Sequence, residues 1–408
     1  MRFLNLILAL ALSLTACAST RPKDVSANQP AELRVAEESG EKQYILYDPN
    51  NFYRPPGKVS SLSMMAFTAK GKIREIPNSN AVVIRVKKGE EPIVPKGMVI
   101  EEEHIYHTQH DGPDQIYKLV PASCPPTSPN PNPSPNPNPP PTPGTPKRVN
   151  TTWGQKAVGV AEASAIQGDA KAIKVCIIDT GLDRSVHSEF EDGVLVGGET
   201  MVQGEPWDQD PAKHGTHTAG TIASKKYGIT AVKLYAVKVL GNNGSGMSSW
   251  IAGGINRCRA WGARIISASL GMDRGTDSTI GTAVKGFVTA GGIFIAAAGN
   301  SSGGPIGFPA SMPEVIAVTS MDENGRTSSF SSRGQKQGEM VIAPGGGVLS
   351  LCPNGTCTMS GTSMAAPHAA GIMALALARG RTKIGVVPKG LPVTEQGRGL
   401  AHALESVR

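Results

Sequence analysis

The feature that most limits the folds open to this chain is a set of short apolar runs: Ile173 to Ile178, Leu234 to Leu240, Arg264 to Ala268, Ile293 to Ala297 and Val315 to Val318. Their hydrophobicity is continuous rather than alternating. A strand with one wet face alternates apolar and polar residues, whereas a strand covered on both faces does not. Helical patterning separates the runs, with helices expected to begin near His214, Ser248, Thr279 and Ser363. The pattern predicts an α/β fold in three layers, a mostly parallel central sheet with helices on either side. In such sheets the working residues gather at the carboxyl ends of strands, and Asp179 and Asn300 fall there.

That sheet does not need the whole chain. With 408 residues there is room for two domains, each with its own core. Pro125 to Pro146 is dominated by proline and asparagine and cannot pack. It is expected to form an extended strut, roughly 3 Å per residue and hence of order 60 to 70 Å if straight. The linker region, residues 110–146, divides a small α+β unit at 41–109 from the parallel sheet at 147–408. The smaller unit carries strand-like runs Tyr44 to Tyr47 and Ala81 to Val86, with a helical candidate near Ser61 to Ala69. The formal net charge of +7 is spread along the chain without a Lys/Arg block, which argues against a nucleic-acid partner.

Residues 1–16 read as an export signal: Arg2, then the apolar run Phe3 to Leu14, then Leu14-Thr15-Ala16-Cys17. The run is too short to span a membrane with ordinary flanks. The small residues before Cys17 resemble the lipobox of bacterial lipoproteins, in which the cysteine is lipidated after cleavage. On that reading the chain is a membrane-anchored lipoprotein, and residues 17–40 are a flexible polar spacer. Ala18 directs it to the outer membrane if the host is Gram-negative. An ordinary secretory signal is the alternative, and it too exports the protein.

Beyond Cys17 stand Cys124, Cys176, Cys258, Cys352 and Cys357, an odd number, so at least one lacks a partner within the chain. Cys352 and Cys357 flank Pro-Asn-Gly-Thr, a turn-forming insert, and a hairpin disulfide is expected there. Cys176, inside an apolar strand, reads as a buried small hydrophobe. The pairing of Cys124 and Cys258 stays open. No Cys/His spacing suits zinc, and neither metal nor cofactor is expected.

The chemistry sits in Ile177-Ile178-Asp179-Thr180-Gly181, His214-Gly215-Thr216-His217, Ala297-Ala298-Gly299-Asn300 and Gly361-Thr362-Ser363-Met364-Ala365-Ala366-Pro367. A serine hydroxyl is a weak nucleophile at neutral pH. It needs a base to take its proton and an acid to hold that base in one tautomer. Ser363, His214 and Asp179 fit those roles. The main-chain N–H of Ser363, at a helix start, and the Asn300 amide fit as donors to the oxyanion. His217 and His368 read as packed structural histidines. The order acid, base, nucleophile differs from chymotrypsin-like and α/β-hydrolase chains.

Together these segments resemble the subtilases, the subtilisin-like serine proteases, from about Trp153 to the C-terminus. The resemblance implies a serine endopeptidase acting as a monomer on polypeptide substrates. It implies that Gly244-Ser245-Gly246 and Ser269-Leu270-Gly271 are the backbone edges between which a peptide is held as an added strand. It also implies that Ala298, Gly299 and Gly307 wall the pocket for the residue before the cut, open enough for large apolar side chains. Residues 41–109 are similar to the subtilisin propeptide domain, above all in Val99-Ile100-Glu101-Glu102-Glu103-His104-Ile105-Tyr106-His107, the tail that enters the protease's own site. A zymogen inhibited by its own propeptide domain is then expected, cut near Gln109-His110, with the catalytic domain released from the lipid anchor. One departure concerns residues 222–234, shorter than the family's calcium loop and carrying Lys225 and Lys226, so that this calcium site is expected to be absent. Two other readings stay open: a silent peptide-binding module, and a tethered protease that is never cut, whose residues 42–109 are a stable spacer or recognition domain.

Overall fold

The computed structural model describes residues 41–56, 58, 73–87, 90, 92, 94–109 and 148–408. The signal segment, Cys17, the spacer, the helical candidate near Ser61, the Pro/Asn strut and Cys124 lie outside these residues.

Strands β1 (Glu41–Tyr47), β2 (Ile73–Glu75), β3 (Ala81–Lys87) and β4 (Val99–Glu102) form an antiparallel sheet in the order β2-β3-β1-β4. Both expected strands fall within β1 and β3. Their period-2 alternation sorts two apolar sets onto opposite faces. Leu46, Val82 and Ile84 share one buried cluster, while Ile45, Tyr47, Ala81 and Val83 join a core that belongs mainly to the C-terminal domain. Strand β5 (Ile105–Thr108) then leaves this sheet altogether.

The C-terminal domain opens with helices α1 (Trp153–Val158) and α2 (Val160–Ile166). The central sheet follows: β6 (Lys174–Asp179), β7 (Leu195–Thr200), β8 (Lys233–Lys238), β10 (Ile265–Ala268), β12 (Ile293–Ala297), β13 (Val315–Met321) and β14 (Met340–Pro344). Short β17 (Val386–Val387) and β18 (Leu400–Ala401) complete one edge. The order is β17-β18-β14-β13-β12-β10-β6-β8-β7, parallel throughout except for the β17–β18 pair. All five apolar runs are strands of this sheet.

Helices α3 (His214–Ala223) and α6 (Thr362–Ala378) cover one face, and α4 (Ser248–Trp261) and α5 (Ser278–Thr289) cover the other. Within β6 the consequence is direct. Val175 and Ile177 pack with the α3/α6 core, while Cys176 and Ile178 pack with the α4/α5 core. Two buried faces leave no wet position, which is why the run reads as continuously apolar. Helix α6 is apolar all round for the same reason, being buried from Thr362 to Ala376.

The hairpin β15 (Val348–Cys352) and β16 (Gly355–Met359) is closed by a Cys352–Cys357 disulfide. Cys176 is buried, as its place in an apolar run implies, and the pairing the sequence leaves open is settled. Its sulfur is bonded to Cys258 of α4, 82 residues away, joining the sheet to its covering helix. Sequence spacing carries no signal for such a pairing, since only the packing of α4 on β6 brings the two sulfurs together.

Candidate active site

Asp179 ends β6 and is buried, with Thr180 turning the chain away. Its Oδ1 accepts from the Thr180 N–H at 2.7 Å and faces His214 Nδ1 at 2.7 Å. Its Oδ2 accepts from Thr218 Oγ1 at 3.2 Å. His214 is the first residue of α3, and Gly215 explains how the helix start comes so close. A Cβ there would lie 2.1 Å from the Gly181 carbonyl oxygen, so any larger residue would push the imidazole off the carboxylate.

A buried polar frame beneath the pair was not legible in the motifs. Asp210 has no exposed surface and accepts from Thr180 Oγ1 at 2.7 Å, from the Thr216 N–H at 2.8 Å and from Thr216 Oγ1 at 2.7 Å. The Gly215 N–H in turn donates to Thr180 Oγ1 at 2.8 Å. Burial holds the Asp210 carboxyl above the ordinary carboxylate range, partly offset by these hydrogen bonds. Lys238, at the end of β8 and paired in register with Asp179, is also fully buried. Its ammonium donates to the Thr180 carbonyl at 2.5 Å and to Asn242 Oδ1 at 3.0 Å, and stands 3.2 Å from Glu205 Oε2. A lone lysine inside the apolar run Leu234 to Leu240 was the signal that could have found it.

Ser363 is the second residue of α6 and fully buried. Its hydroxyl donates to the Ser269 carbonyl oxygen at 3.0 Å, and the Ser269 hydroxyl donates to the Ser363 carbonyl at 2.8 Å. Helices α3 and α6 pack against each other, which brings the two helix starts to one end of the sheet. Asn300 follows β12. Its Oδ1 accepts from the Thr362 N–H and Thr362 Oγ1, both at 3.0 Å. That leaves Nδ2 buried and without a hydrogen-bond partner among the described residues. An unpaired amide donor next to a helix start suits a charge that appears only during reaction.

The edges come together around β5. It lies between β9 (Ser245–Met247) and β11 (Leu270–Gly271), antiparallel to both. Tyr106 pairs with Gly246, His107 with Ser245 and Gly271, and Thr108 with Leu270. The Thr108 N–H donates to the Gly244 carbonyl at 3.0 Å and the Gln109 N–H to the Ser269 carbonyl at 3.4 Å. The Gln109 carbonyl oxygen accepts from the Ser363 N–H at 3.0 Å. The Gln109 side chain is buried and reaches the Gly271 carbonyl through Nε2 at 3.1 Å. Gly307 stands close by: its N–H donates to the Ala298 carbonyl, and a Cβ on it would lie 2.7 Å from the Met272 carbonyl. The Gly299 N–H donates to Thr362 Oγ1 at 3.1 Å, tying the turn after β12 to the start of α6.

Sequence reasoning also missed how the N-terminal unit docks. The first N–H groups of a helix have no partner within it and favour negative charge. Glu101 accepts from the Ser278 and Thr279 N–H groups of α5 at 2.8 and 2.7 Å, and Glu103 accepts from the Ser249 N–H of α4 at 3.1 Å. Tyr47 and Arg74 add hydrogen bonds to Ser278 Oγ and Ser249 Oγ, both at 2.8 Å. The run Glu101-Glu102-Glu103 was visible in the sequence, but the helix starts that receive it are far along the chain.

Comparison with known proteins agrees with this geometry. The model of the Subtilase family matches residues 170–384. Alkaline elastase YaB of Bacillus sp. (strain YaB) is 39% identical over 230 residues, 55% of this chain and 59% of that protein. Subtilisin Savinase of Lederbergia lenta is 39% identical over 230 residues, covering 82% of its length. Subtilisin DY of Bacillus licheniformis is 42% identical over 218 residues, 51% of this chain and 77% of that protein. The match to the alkaline elastase thus spans little more than half of that protein. With a family match over more than half its length, a doubly covered parallel sheet and a buried Asp179–His214 pair, this chain belongs to the subtilase family.

Proposed function

We propose that the chain is a serine endopeptidase made as a zymogen, with residues 41–109 acting as its own inhibitor and Gln109-His110 as the bond it cuts. The single observation that carries this reading is the Ser363 N–H to Gln109 carbonyl hydrogen bond, made by a strand clamped on both edges. A peptide carbonyl placed there is polarised beside the nucleophile. Ser363 Oγ, rotated off the Ser269 carbonyl, attacks the carbonyl carbon while His214 takes its proton and Asp179 holds the imidazolium. The oxyanion forms between the Ser363 N–H and Asn300 Nδ2. His214 then gives the proton to the leaving amine, and water releases the acyl group by the reverse sequence. Gly244, Ser245 and Gly246 with Ser269, Leu270 and Gly271 bind substrate main chain, and Ala298, Gly299 and Gly307 border the side chain before the cut.

The N-terminus belongs to the same proposal. Residues 1–16 export the chain, lipid on Cys17 anchors it, and the cut frees residues 110 onward. A Cys17→Ser change should abolish lipid incorporation and shift the protein out of the membrane fraction. The protease reading is tested by labelling with a serine-directed phosphonate: wild type should react and Ser363→Ala should not. Intact-mass analysis should find a new N-terminus at His110 in the wild type alone.

A further inference from the structure

The resemblance to subtilases implies a pocket open to large apolar side chains, yet the residue that this chain places against Ser363 carries a carboxamide. Gln109 is only 7% exposed, and its Nε2 donates to the Gly271 carbonyl at 3.1 Å. A main-chain carbonyl can only accept, so the amide must turn its N–H end towards it. The main chain of the same residue is held at two further points. Its N–H donates to the Ser269 carbonyl at 3.4 Å, and its carbonyl oxygen accepts from the Ser363 N–H at 3.0 Å. Three hydrogen bonds on one residue fix where its side chain reaches.

The surroundings of that amide suit a neutral donor. Gly271 stands between the Gln109 side chain and the Phe308 carbonyl. A Cβ on it would lie 2.9 Å from the Phe308 oxygen, 3.6 Å from Gln109 Nε2 and 3.7 Å from Gln109 Cγ, so the absence of a side chain lets the amide approach the strand edge. Ala298, Gly299 and Gly307, the other walls assigned above, bring neither a charge nor a side-chain donor. A carboxylate in place of the amide would set its lone pairs against the Gly271 carbonyl and give up water with no cation on these walls to answer it. A methionine side chain of similar length would fill the space and leave the hydrogen bond unmade. A lysine could donate, but its charge would lose hydration on burial.

We propose that this pocket selects an uncharged carboxamide, so that the substrates are polypeptides with glutamine immediately before the scissile bond, and that the Gly271 carbonyl is the group that reads it. The inference deepens the protease reading above and rests on it, but not on self-cutting. A neutral hydrogen bond made in exchange for one to water is worth roughly twofold to tenfold in rate or affinity. Exclusion of an unpaired charge from a buried position is worth more than that.

The test has two arms. Wild-type protein expressed as the full chain, its active sites counted with the serine-directed phosphonate, is given peptides Ile-Tyr-His-Thr-X-His-Asp, the chain's own residues 105–111 with X at position 109. With X as Gln, kcat/KM should exceed that for Met at least twofold and those for Lys and Glu at least tenfold; any of the three cut as fast as Gln overturns the proposal. The second arm needs no turnover. In the full chain carrying Ser363→Ala, hydrogen exchange of the Thr108 N–H, bonded to the Gly244 carbonyl, reports opening of the tail. Gln109→Glu should speed that exchange at least tenfold and Gln109→Met by less, and exchange indifferent to Gln109→Glu overturns the proposal as well. A wild-type protein that neither takes the phosphonate nor cuts any peptide, while the Ser363→Ala chain shows these exchange responses, would lose the protease reading and keep the carboxamide pocket.

Discussion

The main-chain N–H of Ser363 and the carbonyl oxygen of Gln109 are 3.0 Å apart, joining a helix start to the end of a strand 254 residues earlier in the chain. That bond fixes which peptide lies against Ser363, because β5 is held in register by β9 on one side and β11 on the other. Shifting β5 by one residue would turn Tyr106 out of its pocket and expose it. The first prediction follows from the register. Wild-type protein should yield a single internal cut after Gln109, and Ser363→Ala should accumulate at full length; processing of that variant at the normal rate would refute self-cutting.

Asn300 Nδ2 has no hydrogen-bond partner among the described residues, so its removal should cost mainly rate, while the loss of Oδ1 from the Thr362 N–H and Oγ1 adds about 1 to 3 kcal/mol of instability. Asn300→Ala is expected to lower kcat by about 10²- to 10³-fold, with KM nearly unchanged. That magnitude is the one known for loss of this donor in a subtilisin, carried over by family membership. Steady-state kinetics on a chromogenic peptide would measure it, and a loss confined to KM would remove Asn300 from the oxyanion role.

Lys238 is a different kind of test, since it acts through position. Its ammonium holds the Thr180 carbonyl beside Asp179 together with Asn242 and Glu205, and the Asn242 N–H donates to the same Glu205 oxygen at 2.8 Å. Lys238→Met strands a carboxylate and frees the 241–246 edge. The expected cost is about 3 kcal/mol of stability, with KM for long peptides rising more than kcat falls. Equal KM values for wild type and variant would show that the ammonium does not position that edge.

How much of this was legible depends on distance along the chain. The parallel strands and the main helix starts could be read because continuous apolarity and helix patterning are local properties. Asp179, His214, Asn300 and Ser363 could be singled out because each sits in a short motif. Strand β7 was not foreseen: Leu195-Val196-Gly197-Gly198-Glu199-Thr200 is an edge strand with mostly half-exposed residues, too polar to stand out. Nor was β14, Met340–Pro344, foreseen, although it is fully buried; it is short and ends in proline, a residue that reads as loop. Asp210, Lys238 and the Cys176–Cys258 bond depend on which elements become neighbours, and a single sequence does not state that.

The Cys176–Cys258 bond gives a stability prediction. Closing a loop of 82 residues removes about 4.5 kcal/mol of unfolded-chain entropy on the loop-closure model, against about 2 kcal/mol for the short Cys352–Cys357 loop. Both sulfurs of the long bridge are fully buried, so mild reductant should not reach it in the folded protein. Replacing Cys176 and Cys258 by alanine should lower the denaturant midpoint about twice as much as replacing Cys352 and Cys357. Equal effects would mean that native packing, rather than loop length, sets the difference.

The histidines that take no part in the proposed reaction set the acid limit of the fold. His217 Nε2 bonds the Val348 carbonyl at 2.9 Å and His368 Nδ1 the Met364 carbonyl at 2.8 Å, so each is buried as a neutral donor. Burial lowers His217 to about 3 and His368 to about 4, from an ordinary value of 6.5. Because both folded values lie below the unfolded one, the unfolded chain takes up protons first as pH falls. Their contribution is complete above about pH 6.5 and is lost on the way down to about 4 for His368 and about 3 for His217. Each pH unit within that window costs about 1.4 kcal/mol per group, so from pH 6.5 to 4.5 the pair removes on the order of 5 kcal/mol. Asp210 and His104, whose pKa values are raised, work in the opposite direction and soften the slope. Equilibrium unfolding of the Ser363→Ala chain should therefore show stability falling steeply across this range. His368→Gln, which keeps a donor for the Met364 carbonyl but does not titrate, should recover about half of the loss. A His368→Gln curve as steep as the parent's would show that this histidine is not buried neutral.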